Sequence, residues 1–243
     1  VRVCIVTPVY GRKELTRQFW RNLLYTSSVL SGHTLHPVAV YSDHGDGEIA
    51  SSMGADAVHA PNSPLSDKAN VGYIQCAAFR PDGVLKLDSD DFPSCMWMQA
   101  YLDECAALDV AHVRTLTVYD LPTGRCATKR FNRAGTGRWL SRSVLSALDW
   151  APYEPGIDKR LDGSMDRRIK SAGFVPKEIE ASLGKIISVK SGENIWCYDD
   201  LIMGRRTDHA PDVTRNVWKD SYPPEVSDWM LGHLPTGCNL YTD

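Results

Sequence analysis

Three carboxylates, Asp88, Asp90 and Asp91, fall within four positions at the end of an apolar run in the stretch VLKLDSDDFPS, residues 84–94. Crowded carboxylates repel one another and resist ionising unless a cation or a partner compensates them. Side chains alternate along an extended chain, so Asp88 and Asp90 share one side while Ser89 points the other way. Two same-facing carboxylates at a strand end form a hard-oxygen site for Mg²⁺ or Mn²⁺, completed by water and a substrate diphosphate. The competing reading is an acidic turn that caps the next helix, because Asp91 and Ser94 are residue types favoured at helix N-termini.

Hydrophobic period and chain breakers indicate the elements that must position these acids. Residues 1–12, VRVCIVTPVYGR, form a β-rich run broken by Pro8 and Gly11, hence a strand and a loop. Leu15, Phe19, Leu23 and Leu24 follow at helical spacing. HPVAVYSD is a second strand ending at Asp43, with HGDGE as its turn, and ADAVHAP is a short third strand. A helix opening at Ser66 leads into the fourth strand, GVLKLDSDD. The order strand-helix-strand-strand-helix-strand predicts a largely parallel sheet covered by helices. In such sheets ligands bind outside the carboxyl ends of the strands, where TPVYGR, SDHGD and DSDD converge. Downstream, the pattern predicts a helix over 94–108, a strand over 110–120, extended pieces and a short helix over 124–148, a helix over 161–174 closing at Gly173, and a strand over 184–190. Residues 191–212 are rich in turn formers. No internal repeat or second core is evident, so one domain is expected over residues 1–243.

With 243 residues, 43% hydrophobic and 23% charged, the composition excludes disordered and fibrous classes. The net charge of −3 hides a net +7 over residues 125–190 between flanks of −5 each. Either that middle third presents one basic surface to an anionic ligand, or its long side chains solvate a helical face. Seven scattered cysteines without a C-x-x-C pair read as reduced thiols of a cytoplasmic protein. No apolar run approaches the roughly 18–20 residues of a membrane span. The opening VRVCIVTP lacks the organisation of a signal peptide, and its missing Met points to a short leader ahead of it.

The segments VCIVTPVYGR, YSDHGD, DKANVGYIQCA and GVLKLDSDD resemble, in order and approximate spacing, a family 2 glycosyltransferase of the GT-A fold. That family reads strand-P-x-Y/F-N/G, a strand ending in Asp, ARNxG on a helix and GEYILFLDSDD. LDGSMDRRIKSAGF is similar to its EDVDLSYRLRKAGY, with Asp162, Arg168 and Gly173 at matching positions. The resemblance covers residues 1 to about 190. It implies an α/β GT-A (nucleotide-diphospho-sugar transferase, Rossmann-like) fold with a mostly parallel central sheet flanked by helices. Residues 1–91 would be the donor half, 92–190 the acceptor side and 191–243 a lid and tail.

The roles the resemblance implies are specific. Thr7, Pro8, Tyr10 and Arg12 would lie along a nucleotide, with Tyr10 facing the base, unless they form a simple strand-end turn. Asp43 would accept from the base imide N–H, or else cap Gly45. Lys68 would touch the base or a phosphate, and Asn70 would bond backbone near the metal loop. Asp88, beside Ser89 on the donor side, would bind the ribose or a metal-bound water, and Asp90 would ligate Mn²⁺ or Mg²⁺ beneath the leaving diphosphate. Asp162 would be the general base of an inverting transfer, or else cap its helix. The chain departs from the family there, with Leu161 for Glu and Ser164 for the second Asp; Asp166 is a reserve base and Asp158 a weaker one. Lys190 stands where members often carry a metal-binding His, and a protonated lysine suits a phosphate better than a metal. His209 is the nearest downstream ligand, in a lid whose Arg205 and Arg206 suit a diphosphate.

The acceptor side is read from GRCATKRFNRAGTGRWLSR, whose six Lys/Arg precede Asp162. Arg138, Trp139 and Arg142 are placed there, with Trp139 and Phe131 as stacking surfaces. Such cations suit an anionic acceptor, including DNA. The reading is therefore metal-dependent, inverting hexosyl transfer from a UDP-sugar to an acceptor hydroxyl. One alternative is a glycosyltransferase acting on hydroxymethylated bases of DNA through residues 125–142; another is a non-catalytic sugar-nucleotide binding module. TPVYGR is not the Gly-rich arginine-lysine loop of a nucleotidyltransferase. A D-x-D after the fourth strand, followed by Phe92, does not match a D-x-D phosphatase.

Overall fold

The computed structural model describes residues 1–131, 134–180, 183–192 and 222–233. The chain begins β1 (Arg2–Val9), α1 (Lys13–Val29), β2 (Thr34–Tyr41), α2 (His44–Ser52), β3 (Asp56–His59), α3 (Leu65–Cys76) and β4 (Gly83–Lys86). It continues β5 (Asp91–Pro93), α4 (Cys95–Cys105), β6 (Val110–Val113), β7 (Thr115–Asp120), β8 (Cys126–Arg130), β9 (Arg138–Ser141) and α5 (Arg142–Ala147). The last elements are α6 (Leu161–Ser171), β10 (Lys177–Ile179), β11 (Ile186–Lys190) and α7 (Pro224–Gly232).

Seven strands form the main sheet in the order β10-β6-β9-β4-β1-β2-β3, in which β9 alone runs against its neighbours. Alternation in β1 divides the core between two faces. Val3 and Ile5 pack with Phe19, Trp20 and Leu23 of α1, whereas Cys4 and Val6 pack with Tyr73 of α3, Val144 of α5 and Ile169 of α6. Burying each large apolar side chain contributes about 1.5–3 kcal/mol, and Phe19 also meets Trp20 and Phe92 edge-on. Gly72 lets α3 lie close, since a Cβ there would strike Val6 and Val40. Cys4, Cys76 and Cys105 are buried free thiols.

Three features differ from the sequence reading. HGDGE is the start of helix α2, whose N-terminus Asp43 caps by accepting from Gly45 N, and Gly47 lies under the Tyr41 ring, 2.8 Å from where its Cβ would sit. Ser66 does not cap α3; the helix's first N–H, on Leu65, donates to Asp158 Oδ1 at 2.8 Å. The run 110–120 is two strands, and β7 leaves the main sheet for a second one ordered β5-β11-β7-β8. This small sheet carries the acidic loop and Lys190 to the carboxyl ends of β1 and β4.

Candidate functional site

Leu87 extends β4 alongside β1 by donating to Val6 O, after which the chain turns tightly, with Asp91 N donating to Asp88 O at 3.0 Å. The loop is then seized by β11, since Val189 N donates to Asp90 O at 2.7 Å and Ser188 pairs with Asp91. That register delivers Lys190 Nζ to Asp90 Oδ2 at 2.8 Å. From the other side, the turn at Gly11 (φ 75°), fixed by its N–H on Asp46 Oδ2 at 2.7 Å, aims Arg12 at the same carboxylate. Arg12 Nη1 lies 3.2 Å from Asp90 Oδ2, and Nη2 donates to Ser89 Oγ at 3.1 Å. Burial alone would raise the Asp90 carboxyl, but Lys190 and Arg12 outweigh it and hold it at about 2. Asp91 is turned inward, where burial and then the Asp90 and Asp88 charges push it up to about 7.

A second cluster lies beside the first. Lys86 Nζ bonds Asp88 Oδ1 at 2.6 Å and reaches Gly135 O at 3.4 Å. Burial opposes its charge, yet Asp88 and then Asp162 keep Lys86 protonated beyond the ordinary lysine range. The Asp162 carboxylate packs on Gly135, whose Cβ would sit 2.7 Å from Oδ1. Asp162 stands in the first turn of α6, after Arg160 in the left-handed region (φ 58°). No hydrogen bond reaches its carboxylate among the described residues. Burial raises its pKa, against the pull of Lys86 and Arg138. A half-buried, unengaged carboxylate of raised basicity can accept a proton.

The neighbouring acids do other work. Asp166 is tied to Arg138 Nη1 at 2.6 Å with both side chains buried, so it clamps α6 to β9 and is no reserve base. Asp158 caps α3 through Leu65 N and accepts from Ser63 Oγ at 2.9 Å.

The structure brings Arg12, Ser89, Asp88, Asp90 and Lys190 to one corner, and Pro8 lies half-buried near the end of β1 just before Tyr10. Tyr10 is 56% exposed, with Lys68 Nζ 5.6 Å from its ring centroid. Other expected contacts lie elsewhere. Thr7 is fully buried within β1 and offers no side chain to a ligand. Lys68 is 2% exposed and holds Val9 O at 2.7 Å and Asn62 Oδ1 at 3.0 Å; burial lowers its ammonium to about 8 despite Asp46. Asn70 bonds backbone, but that of Tyr153, through both its amide atoms at 3.0 Å, and so fixes the segment leading to α6. Asp43 takes its capping role, accepting from Gly45 N at 2.9 Å, with Lys13 at 3.6 Å.

The acceptor-side trio is corrected as well. Arg138 is 1% exposed and bound to Asp166. Trp139 is 2% exposed, donates to Leu108 O at 2.9 Å and packs on Gly83, so it offers no stacking face. Arg142 holds Pro81 O, Arg80 O and Asp82 at the amino end of β4, the opposite edge of the sheet. His209, Arg205 and Arg206 lie outside the described residues. Sequence reasoning missed Lys86 and Gly135. The signal for Lys86 was a lysine inside an apolar strand, two positions before Asp88 and therefore on its side.

No family model matches this sequence, and no curated protein matches it. Solved structures do match in shape. A mutant of Drosophila β-1,4-galactosyltransferase 7, complexed with manganese, UDP-Gal and xylobiose, aligns with a TM-score of 0.53 at 16% identity, over 86% of this chain and 81% of its own. S. aureus TarS aligns with a TM-score of 0.52 at 13% identity, over 95% of this chain and 42% of its own. Together with the mostly parallel sheet and its single reversed strand, these likenesses give the chain the GT-A type of fold, that of nucleotide-sugar transferases.

Proposed function

We propose that this chain transfers a sugar, with inversion, from a nucleotide diphosphate sugar (a UDP-hexose) to an acceptor hydroxyl. The observation that carries the reading is Asp162, a half-buried carboxylate with no hydrogen bond among the described residues, packed on Gly135 and sharing the Lys86 charge with Asp88 at the edge where β1, β4 and β11 converge. Residues 1–91 then supply the donor side and 92–190 the acceptor side of one domain, with Lys190 returning to the donor corner. Asp162 takes the proton of the acceptor hydroxyl as that oxygen attacks the anomeric carbon. The bond from that carbon to the diphosphate breaks, and the electron pair leaves on the phosphate oxygen. Lys86 offsets the mutual repulsion of Asp88 and Asp162, and Tyr10 offers the base an exposed ring.

The Mn²⁺ or Mg²⁺ anticipated from the sequence does not fit the corner as built. Asp90 already accepts from two cations, and among the described residues no three His, Cys, Asp or Glu side chains converge as ligands. Among the described residues, four cations of the basic segment lie against the protein's own acids. Arg125 meets Asp120, Arg130 meets Glu180, Arg138 meets Asp166 and Arg142 meets Asp82. The test is a thermal-shift panel of UDP-, GDP- and dTDP-sugars, followed by transfer assays on the donor that stabilises most. Asp162→Asn should keep donor binding and lose turnover by about 10²–10⁴-fold. Unchanged turnover would remove Asp162 from the reaction.

A further inference from the structure

Resting on that donor site, we infer that Lys190 and Arg12 take the place of a divalent ion, holding the donor diphosphate and neutralising it as it leaves. Both meet one oxygen, Asp90 Oδ2, at 2.8 and 3.2 Å. An ion ligated there would sit about 2.0–2.2 Å from that oxygen, placing a double positive charge against an ammonium and a guanidinium. The lysine is fixed where it stands. Its strand lies between β5 and β7, its carbonyl accepts from Leu121 N at 2.8 Å, and its neighbour Val189 is bonded to Asp90 O. A protonated lysine has three donors and no lone pair for a metal.

At Asp90 two cations meet one carboxylate and leave a net positive charge for a diphosphate, while Lys86 is shared between Asp88 and Asp162, and Asp91, 2% exposed, is turned onto the Asp88 N–H at 3.3 Å. Arg12 is the more accessible of the pair on Asp90, with a side chain 17% exposed, and its planar fork has N–H groups beyond the two on Asp90 and Ser89. As the bond between the anomeric carbon and the diphosphate breaks, the charge arriving on phosphate is met by these N–H donors. No proton is transferred there, since the acceptor's proton goes to Asp162. Asp90 thus serves as the positioning residue that aims both cations.

Calorimetric titration of the full chain with UDP and with uridine, in EDTA and again in Mn²⁺, tests this. UDP affinity should agree within about twofold between the two buffers. Lys190→Ala should weaken UDP about tenfold or more while leaving uridine unchanged, and Lys190→Arg should restore most of the loss. Arg12→Ala, at a partly exposed position, repeats the test if Lys190→Ala fails to fold. UDP binding that collapses in EDTA, or that is indifferent to both substitutions, overturns the inference while leaving the donor site standing. Failure of both UDP and uridine to bind removes the uridine-nucleotide donor site, and the inference with it.

Discussion

Asp162 and Asp166 lie one helical turn apart on α6, yet their surroundings assign them opposite duties, and substituting each separates the two. Asp166 is 4% exposed, and its partner Arg138 is 1% exposed. At the 2.6 Å between Nη1 and Oδ1, their attraction is about 6 kcal/mol at an effective dielectric of 20. Desolvation offsets much of that while the pair is intact, but removing one partner strands the other charge in the interior. Loss of one member of a buried pair costs about 3–5 kcal/mol. Asp166→Ala should therefore lower stability by about that amount, or the melting temperature by roughly 6–20 °C for a domain of this size. Asp162→Ala removes a half-buried carboxylate that receives no hydrogen bond among the described residues, and its raised pKa shows that the fold does not favour its charge. Its stability should change by less than about 1 kcal/mol. Urea unfolding followed by circular dichroism measures both. The double variant Arg138→Met/Asp166→Leu should recover most of the loss, because an apolar pair of similar volume can replace a buried ion pair. Equal stability losses at 162 and 166 would refute this division of roles.

Three further outcomes are expected. The folded-state pKa of Asp91, about 7, exceeds its unfolded value, so the native chain binds the extra proton and its contribution to stability falls as pH rises from about 4 to 7; Asp91→Asn should flatten that slope, Asp162 keeping a part of the same sign, as urea midpoints across the range would show. Gly135→Ala would press a Cβ against the Asp162 carboxylate, so turnover should fall more than donor affinity does, which steady-state kinetics beside calorimetry can separate. Asn70→Ala strands the Tyr153 N–H and C=O beneath the segment before α6, and chemical denaturation should show a loss of about 2–3 kcal/mol.

The corner at the carboxyl ends of β1 and β4 was legible because its signals are local. An apolar run ending in acids, a Pro and Gly after β1, and an Asp after β2 each mark a strand's carboxyl end within a few residues. What was not legible depends on contacts between distant segments. Gly47 looks like a turn residue until the Tyr41 ring is seen above it, and Asp158 reads as a weaker candidate base until it is seen to accept from the first N–H of α3. Arg138 and Trp139 counted as cationic and aromatic surface, but β9 runs between β4 and β6, where both are buried. A basic stretch in sequence does not reveal whether its charges face solvent or the protein's own acids. Lys190 shows the converse case, since its departure from the resembled pattern was visible at once, while its meaning emerged only from its distance to Asp90.

The stereochemistry of donor turnover tests the central claim most directly. With a UDP-α-hexose, and water as the acceptor, proton NMR of the anomeric signal identifies the first sugar released before it mutarotates. Inverting transfer with Asp162 as base gives the β-anomer from the native chain and almost none from Asp162→Asn. Release of the α-anomer, or equal release by both proteins, would contradict the account.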